Sequence, residues 1–145
     1  MNRVEKAVEM YKEDFACSQS VFAVFCEELD LDKNTALKIA EGFGSGIGRM
    51  ALTCGAVTGS CMVIGLKNGR ISADDLESKQ KTRELITDFA EKFIERNKTI
   101  VCKELLDCDI STDEGNQYAE ENGIKDELCP KFVEDAVEIL EEILY

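Results

Sequence analysis

The chain of 145 residues contains no histidine. Without an imidazole it cannot assemble a Ser-His-Asp or Cys-His catalytic group, and it cannot form a mixed cysteine–histidine zinc site. The carboxylate–histidine di-iron bundle and histidine-ligated covalent haem are excluded for the same reason. Any chemistry in this protein must therefore use thiols, carboxylates, lysine or arginine.

Positive charge is also scarce, with 17 lysines and arginines against 30 aspartates and glutamates and a formal net charge of −13. A surface that binds nucleic acid needs clustered Lys and Arg, and attraction to an anionic membrane surface needs the same. We therefore expect neither nucleic acid nor an anionic membrane surface as a partner.

No segment has the pattern of a targeting or membrane-spanning sequence. The N-terminus alternates charged with apolar residues and lacks the uninterrupted hydrophobic core of a signal peptide. The uncharged run 50–66 spans 17 residues, the lower limit for a membrane helix, but it contains three glycines, two threonines and a serine. A buried helix, no stable membrane insertion and a cytoplasmic location are the expectations that follow.

Helical periodicity runs through nearly the whole chain, whereas no segment alternates as a strand does. We predict an all-α fold: a single domain over residues 1–145, formed by a compact bundle of about five to seven helices. The glycine-rich segment at about 46–66 is predicted to be its central helix. From Phe15 to Cys26 a second side of the N-terminal helix also becomes apolar, which favours a homodimer.

Helix boundaries are predicted from capping signals. The expected start signals are Asn34 or Thr35, Ser72, Thr99, the run 111–114, and Cys129 followed by Pro130 at the first helical position. The expected stop signals include Asn68-Gly69 and Asn122-Gly123.

Seven cysteines in a chain without a secretion signal indicate metal or redox chemistry rather than a disulfide framework. No C-x-x-C is present, which excludes the local motifs of thioredoxins, zinc ribbons and ferredoxins. Cys54 and Cys61 would lie about 10 Å apart along one helix, too far for a disulfide. Any redox pair or metal cluster must therefore be assembled by tertiary packing.

Two cysteines are predicted to lie at helix starts, Cys129 as a cap and Cys102 in a first turn. Backbone N–H groups and the helix dipole lower the pKa of a thiol at such a position. We therefore expect both to be activated thiolates.

Three further residues near Cys54 are candidates for binding a cofactor: Arg49, Gly55 and Gly59. Arg49 precedes Cys54 by five residues, where it could stabilise a thiolate or bind an anion. Gly55 and Gly59 allow close approach of another group, and we expect a second cysteine-bearing helix to cross there. The segment also matches G-x-G-x-x-A superficially, but the strand that a dinucleotide fingerprint requires is missing.

The motif CGAVTG at 54–59 follows a GIGRM segment, with Cys17 before it and CKELL and CPKFVEDAVEIL after it. Over essentially its whole length the chain resembles the four-cysteine C_GCAxxG_C_C family of redox-active proteins. The resemblance implies a small helical protein whose functional cysteines are Cys17, Cys54, Cys102 and Cys129. The chain also resembles the split-Soret cytochrome c domain, but it lacks C-x-x-C-H, so no haem is expected.

These observations lead to three hypotheses about function. In the first, the four cysteines carry reversible thiol–disulfide or electron-transfer chemistry as an oxidoreductase, without a bound cofactor and with a redox partner protein. In the second, the same four thiolates, Cys17, Cys54, Cys102 and Cys129, bind an iron–sulfur cluster or zinc. In the third, the chain is a helical interaction module whose cysteines only pack.

Overall fold

The computed structural model describes residues 1–145 as eight α-helices and one 3₁₀ turn, without a β-strand. The prediction of an all-α fold is confirmed, although the helices outnumber the five to seven expected. The helices are α1 (Arg3–Lys12), α2 (Cys17–Cys26), α3 (Lys33–Glu41), α4 (Gly55–Asn68), α5 (Leu76–Asn97), α6 (Cys102–Leu106), α7 (Asp113–Glu121) and α8 (Ile124–Leu144), and the 3₁₀ turn is Glu27–Leu29. No helix combines the length and the apolarity needed to cross a bilayer.

The apolar stripe near the N-terminus belongs to two helices rather than one. The chain leaves α1 at Glu13 and takes a left-handed conformation at Asp14, with φ of 79°. It re-enters helix at Cys17, where the side chain of Gln19 accepts the N–H of Ala16 at 2.9 Å. Cys17 is consequently the first residue of a helix, which periodicity alone did not reveal.

Helix α2 lies at the centre of the bundle and contacts α1, α3, α4 and α8. Its apolar residues Val21, Phe25 and Cys26 are fully buried. The buried hydroxyl of Ser18 donates to the carbonyl of Ala40 at 2.8 Å, and the amide of Gln19 donates to that of Leu37 at 3.0 Å. The apolar faces that favoured a homodimer are therefore covered by the chain's own helices.

The glycine-rich helix begins at Gly55, later than the predicted residue 46. The preceding segment takes positive φ at Ser45, Gly46, Ile47, Gly48, Arg49 and Ala51. A right-handed helix cannot pass through consecutive left-handed residues. The segment instead folds back on itself, and Leu52 N–H donates to the Gly46 carbonyl at 3.0 Å.

Gly55 and Gly59 are the places where α2 crosses α4. A Cβ on Gly59 would lie 2.7 Å from the carbonyl oxygen of Ser18, and one on Gly55 would collide with the sulfur of Cys17. The prediction that another cysteine-bearing helix crosses at these glycines is confirmed, and that helix is α2.

Several predicted capping residues are displaced. Asp32 caps α3 in place of Asn34 or Thr35, and Asp75 caps α5 in place of Ser72. Carboxylates bond to the N–H groups of the first turn as well as hydroxyls do. Thr99 does not cap α6, whose N-cap is Val101. The run 111–114 starts α7 as predicted, with Thr112 as the N-cap, and Asn122-Gly123 ends it.

The last helix begins at Ile124, and Pro130 lies inside it. The prediction that Cys129 and Pro130 open this helix is wrong, because left-handed Gly123 forms the N-cap instead, with φ of 61°. Cys129 therefore lies in the second turn of α8, away from the positive end of the helix dipole.

Because α2 packs on only one part of α4, two glycine-to-alanine substitutions on α4 should change the free energy of unfolding in opposite directions. Gly59→Ala would press a methyl group onto the backbone of Ser18, and we expect a net loss of about 1–3 kcal/mol of unfolding free energy. Gly65→Ala meets nothing within 4 Å, and we expect a gain of about 0.4–1 kcal/mol. Urea unfolding under reducing conditions measures both. Equal effects of the two substitutions would contradict the close crossing.

Candidate functional site

Four cysteines line one cavity of about 650 Å³: Cys17, Cys54, Cys102 and Cys129. They are the four that the family resemblance selects, and all are free thiols. The other three cysteines, Cys26, Cys61 and Cys108, are not part of the cavity wall. Tertiary packing thus brings together thiols that are far apart along the chain.

Three of the four thiols are placed by helix starts. Cys17 is the first residue of α2, Cys54 is the N-cap of α4, and Cys102 is the first residue of α6. An antiparallel bridge between Thr53 and Val101 ties the last two starts together. Beside it, the N–H of Cys54 donates to the Ile100 carbonyl at 2.8 Å.

Cys17 and Cys54 lie side by side in the cavity wall, because the sulfur of Cys17 packs against Gly55, the residue that follows Cys54. The Cys54 thiol donates to the sulfur of Cys17, and this bond is the main reason that the pKa of Cys17 is lowered to about 7. The N–H groups of Ser45, Ser18 and Cys17 itself lower that pKa further. The pKa of Cys54 is raised, first because its proton is held in this bond and then because it is buried.

The assignment of the thiolate to Cys17 also follows from counting the backbone donors. Three N–H groups favour a negative sulfur at Cys17, whereas only that of Ala56 favours one at Cys54. Cys17 is half-buried and Cys54 is only 5% exposed. A more accessible thiolate beside a buried, protonated thiol is the arrangement of an attacking and a resolving cysteine.

Cys102 and Cys129 are not activated thiolates, contrary to the prediction from helix starts. Burial raises the pKa of Cys102 to about 11 and that of Cys129 to about 12. For Cys102 the predicted helix start is correct, but α6 has only five residues and the loss of hydration outweighs its dipole. For Cys129 the predicted start is wrong.

Three residues of the site were not identified from the sequence. Tyr11 lines the cavity together with Cys129; burial raises its pKa, and its hydroxyl partly offsets the rise in the pKa of Cys129. Ser45 supplies an N–H to Cys17, and the ammonium of Lys125 lies 3.0 Å from the hydroxyl of Ser45. Lys125 precedes Cys129 by four residues, and this one-turn spacing on α8 is a signal that could have identified it. Tyr11 lies on α1, whereas Cys17 and Cys129 lie on other helices, so spacing carries no comparable signal for it.

The three candidates for cofactor binding occupy different surroundings. Arg49 pairs with Asp113 at 3.1 Å and does not line the cavity. Gly55 lines the cavity beside Cys17, whereas Gly59 packs against Ser18.

No group of three or more Cys, Asp or Glu side chains converges closely enough to hold a metal ion. In this arrangement the four thiols therefore do not form the ligand set of an iron–sulfur cluster or a zinc site, which requires four converging donors.

The donors around Cys17 make its alkylation depend on pH in a specific way. Because the pKa is lowered to about 7, the reactive thiolate is present above that pH and is lost as the pH falls below it. Site-resolved alkylation of Cys17 by iodoacetamide should therefore have its midpoint near 7, against about 8.5 for an ordinary thiol. Peptide fragmentation by mass spectrometry locates the label.

Two substitutions of Cys54 distinguish the effect of its hydrogen-bond donor on the pKa of Cys17 from the effect of a change in cavity shape. Cys54→Ser keeps a donor beside Cys17 and should leave the midpoint low. Cys54→Ala removes the donor and should raise the midpoint by about one unit or more toward the ordinary value. A midpoint that is ordinary in the unmodified chain would contradict the assigned thiolate.

Comparison with known families provides one match. The family model described as "Putative redox-active protein (C_GCAxxG_C_C)" matches residues 15–143, nearly the whole chain. Comparisons with curated proteins and with solved structures found no match. The matched range includes all four cysteines of the cavity. The chain therefore belongs to the C_GCAxxG_C_C family.

Proposed function

We propose that the protein is a dithiol–disulfide oxidoreductase in which Cys17 attacks and Cys54 resolves. The observation that carries this proposal is the position of the two cysteines side by side in the cavity wall, where the Cys17 sulfur lies against Gly55. The lowered pKa of Cys17 and the raised pKa of Cys54 support it. The thiolate is the nucleophile in thiol–disulfide exchange, and an attacking thiol whose pKa lies near the ambient pH reacts best.

The reaction proceeds in two exchange steps. The Cys17 thiolate attacks one sulfur of a substrate disulfide, forms a mixed disulfide, and releases the other substrate sulfur as a thiolate. Cys54 then passes its proton to that released thiolate and attacks Cys17. A Cys17–Cys54 disulfide forms, and the second substrate sulfur leaves as a thiolate. Two protein thiols are oxidised, and the substrate disulfide is reduced to one thiol and one thiolate.

The position of the two cysteines also prepares the second step. The sulfur of Cys17 lies against Gly55, the residue that follows Cys54, so the resolving thiol has only a short distance to travel. The low exposure and raised pKa of Cys54 keep it from attacking an external disulfide before Cys17 does. The pair can run in reverse, with an external dithiol reducing the disulfide.

Cys102 and Cys129 are assigned a secondary role in this scheme. Both face the same cavity, and both interact electrostatically with Cys17. Their raised pKa values keep them protonated at neutral pH, so they are poor attacking groups. We assign to them the slower exchange with the Cys17–Cys54 disulfide after it has formed.

Mild oxidation of the reduced chain with diamide tests the proposal. We expect the loss of two thiols and a disulfide that joins Cys17 to Cys54. Each of these shares a tryptic peptide with another cysteine, Cys26 or Cys61, so the linkage is assigned in a Cys26→Ala/Cys61→Ala background.

Matched variants decide between function and packing. Cys17→Ser and Cys54→Ser should each abolish the disulfide, whereas Cys108→Ser, outside the cavity, should leave it unchanged. If diamide removes no thiols from the folded chain, or links other cysteines at random, the interaction module with packed cysteines is the better interpretation.

A further inference from the structure

The cavity that holds the thiols is acidic where it opens to solvent. Four exposed carboxylates contribute to its wall: Asp14, Glu41, Glu120 and Asp126. We call these four the acidic rim. One cation, Lys125, also lines the cavity, and its ammonium is directed to the hydroxyl of Ser45.

None of the four rim carboxylates forms an ion pair within the chain. The eight salt bridges of the structure involve other acidic residues. Glu41 accepts from the amide of Gln19 at 2.6 Å, and Glu120 accepts from that of Asn116 at 3.3 Å. These neutral donors leave the negative charge of both carboxylates uncompensated.

The interior of the cavity has the features of a binding site for a small molecule. Its wall is mostly apolar and includes Phe15, Leu106 and Phe132. The thiol of Cys102 is only 8% exposed, lines the cavity, and has no hydrogen-bond partner. A volume of about 650 Å³ lies in the range of about 300–1,000 Å³ that small-molecule sites occupy.

The burial of the thiols restricts what can react with them. Cys54 is 5% exposed, and Cys17 is half-buried against α4, so a substrate disulfide must enter the cavity. A disulfide held within a folded partner protein would have to leave its own surroundings to do so. The geometry therefore favours a free, low-molecular-weight disulfide.

From the rim and the enclosed thiols together we propose that the substrate is a small disulfide carrying positive charge on amine groups. This inference rests on the proposed function of Cys17 and Cys54 and adds the class of substrate. Ammonium groups at either end of a short disulfide would meet the acidic rim while the sulfur atoms reach Cys17.

The chemistry is that of the exchange already described, with the released groups as aminothiols. The Cys17 thiolate forms a mixed disulfide with one half of the substrate, and the other half leaves. Cys54 completes the protein disulfide and releases the second half. One disulfide yields one aminothiol and one aminothiolate, which takes a proton from water, and no further electron donor is consumed in the step.

The net charge of −13 acts in the same direction as the rim. Clefts lined by one sign of charge raise the on-rate of an oppositely charged ligand by about 10–10³-fold. Because screening reduces this attraction over about 8 Å at physiological ionic strength, the preference must decline as salt is added. An anionic disulfide is repelled by the same field.

Three disulfides of similar size but different charge test the proposal: cystamine (a dication), 2-hydroxyethyl disulfide (neutral) and 3,3′-dithiodipropionate (a dianion). The rate of Cys17–Cys54 disulfide formation is measured by quenching and intact mass. Each rate is divided by the rate of the same disulfide with 2-mercaptoethanol, which removes intrinsic reactivity. We expect cystamine to exceed the dianion by at least tenfold at low salt, with the neutral compound between them and the differences shrinking at high salt.

A matched pair of charge variants separates the rim from the overall charge. Asp14→Asn combined with Glu120→Gln removes two rim charges and should reduce the cystamine preference several-fold. Glu84→Gln combined with Glu91→Gln removes two exposed charges on α5, outside the cavity, and should change it little. If the two double variants reduce the preference for cystamine equally, the acidic rim does not determine that preference.

Diamide, which is uncharged, distinguishes failure of this inference from failure of the proposed function. If diamide forms the Cys17–Cys54 disulfide but the normalised rates are independent of charge, the substrate class is wrong and the proposed function stands. If diamide forms no such disulfide, both proposals fall.

Discussion

The close crossing of α2 over α4 is the contact on which the site depends. Gly55 and Gly59 have no side chain to keep the helices apart, so the start of α2 lies directly on α4. That contact places the sulfur of Cys17 beside Cys54 and aligns two helix starts at one point. In a helix interior a glycine such as Gly59 costs about 1 kcal/mol relative to alanine, and here that cost is offset by the packing of a buried core around Phe25 and Ile64.

The left-handed segment before α4 is the second constraint. A non-glycine residue in this conformation costs roughly 1–2 kcal/mol, and β-branched Ile47 adopts it with φ of 67°. The segment is held by returning hydrogen bonds such as that from Ala51 N–H to the Ser45 carbonyl at 3.2 Å. It places the N–H of Ser45 against Cys17, so backbone strain and the lowered pKa of Cys17 occur at the same point.

Sequence reasoning identified what depends on composition and local pattern, namely the all-α fold and the exclusion of histidine chemistry. The four cysteines that share a cavity were selected by the family resemblance. Sequence reasoning also predicted the crossing at Gly55 and Gly59, because small residues four apart on a helix lie on one face and allow another helix to approach closely. It assigned thiol activation to Cys102, which is buried, and to Cys129, which is half-buried, although both have raised pKa values, and it missed the activation of Cys17. Identifying Cys17 as the thiolate requires knowledge of the helix break at Asp14, the left-handed turn before α4 and the burial of each thiol. All three are set by tertiary contacts rather than by local propensity.

The acidic character of the chain and the thiolate at Cys17 act against each other. A net charge of −13 raises the pKa of every thiol it reaches, since negative neighbours disfavour a further negative charge. At Cys17 the opposite result holds because one thiol and three N–H groups donate directly to its sulfur, and such contacts outweigh distant screened charges. Short-range hydrogen bonds therefore determine which cysteine reacts, while the long-range field determines which reagents reach it. One chain can thus combine an anionic nucleophile with an acidic surface.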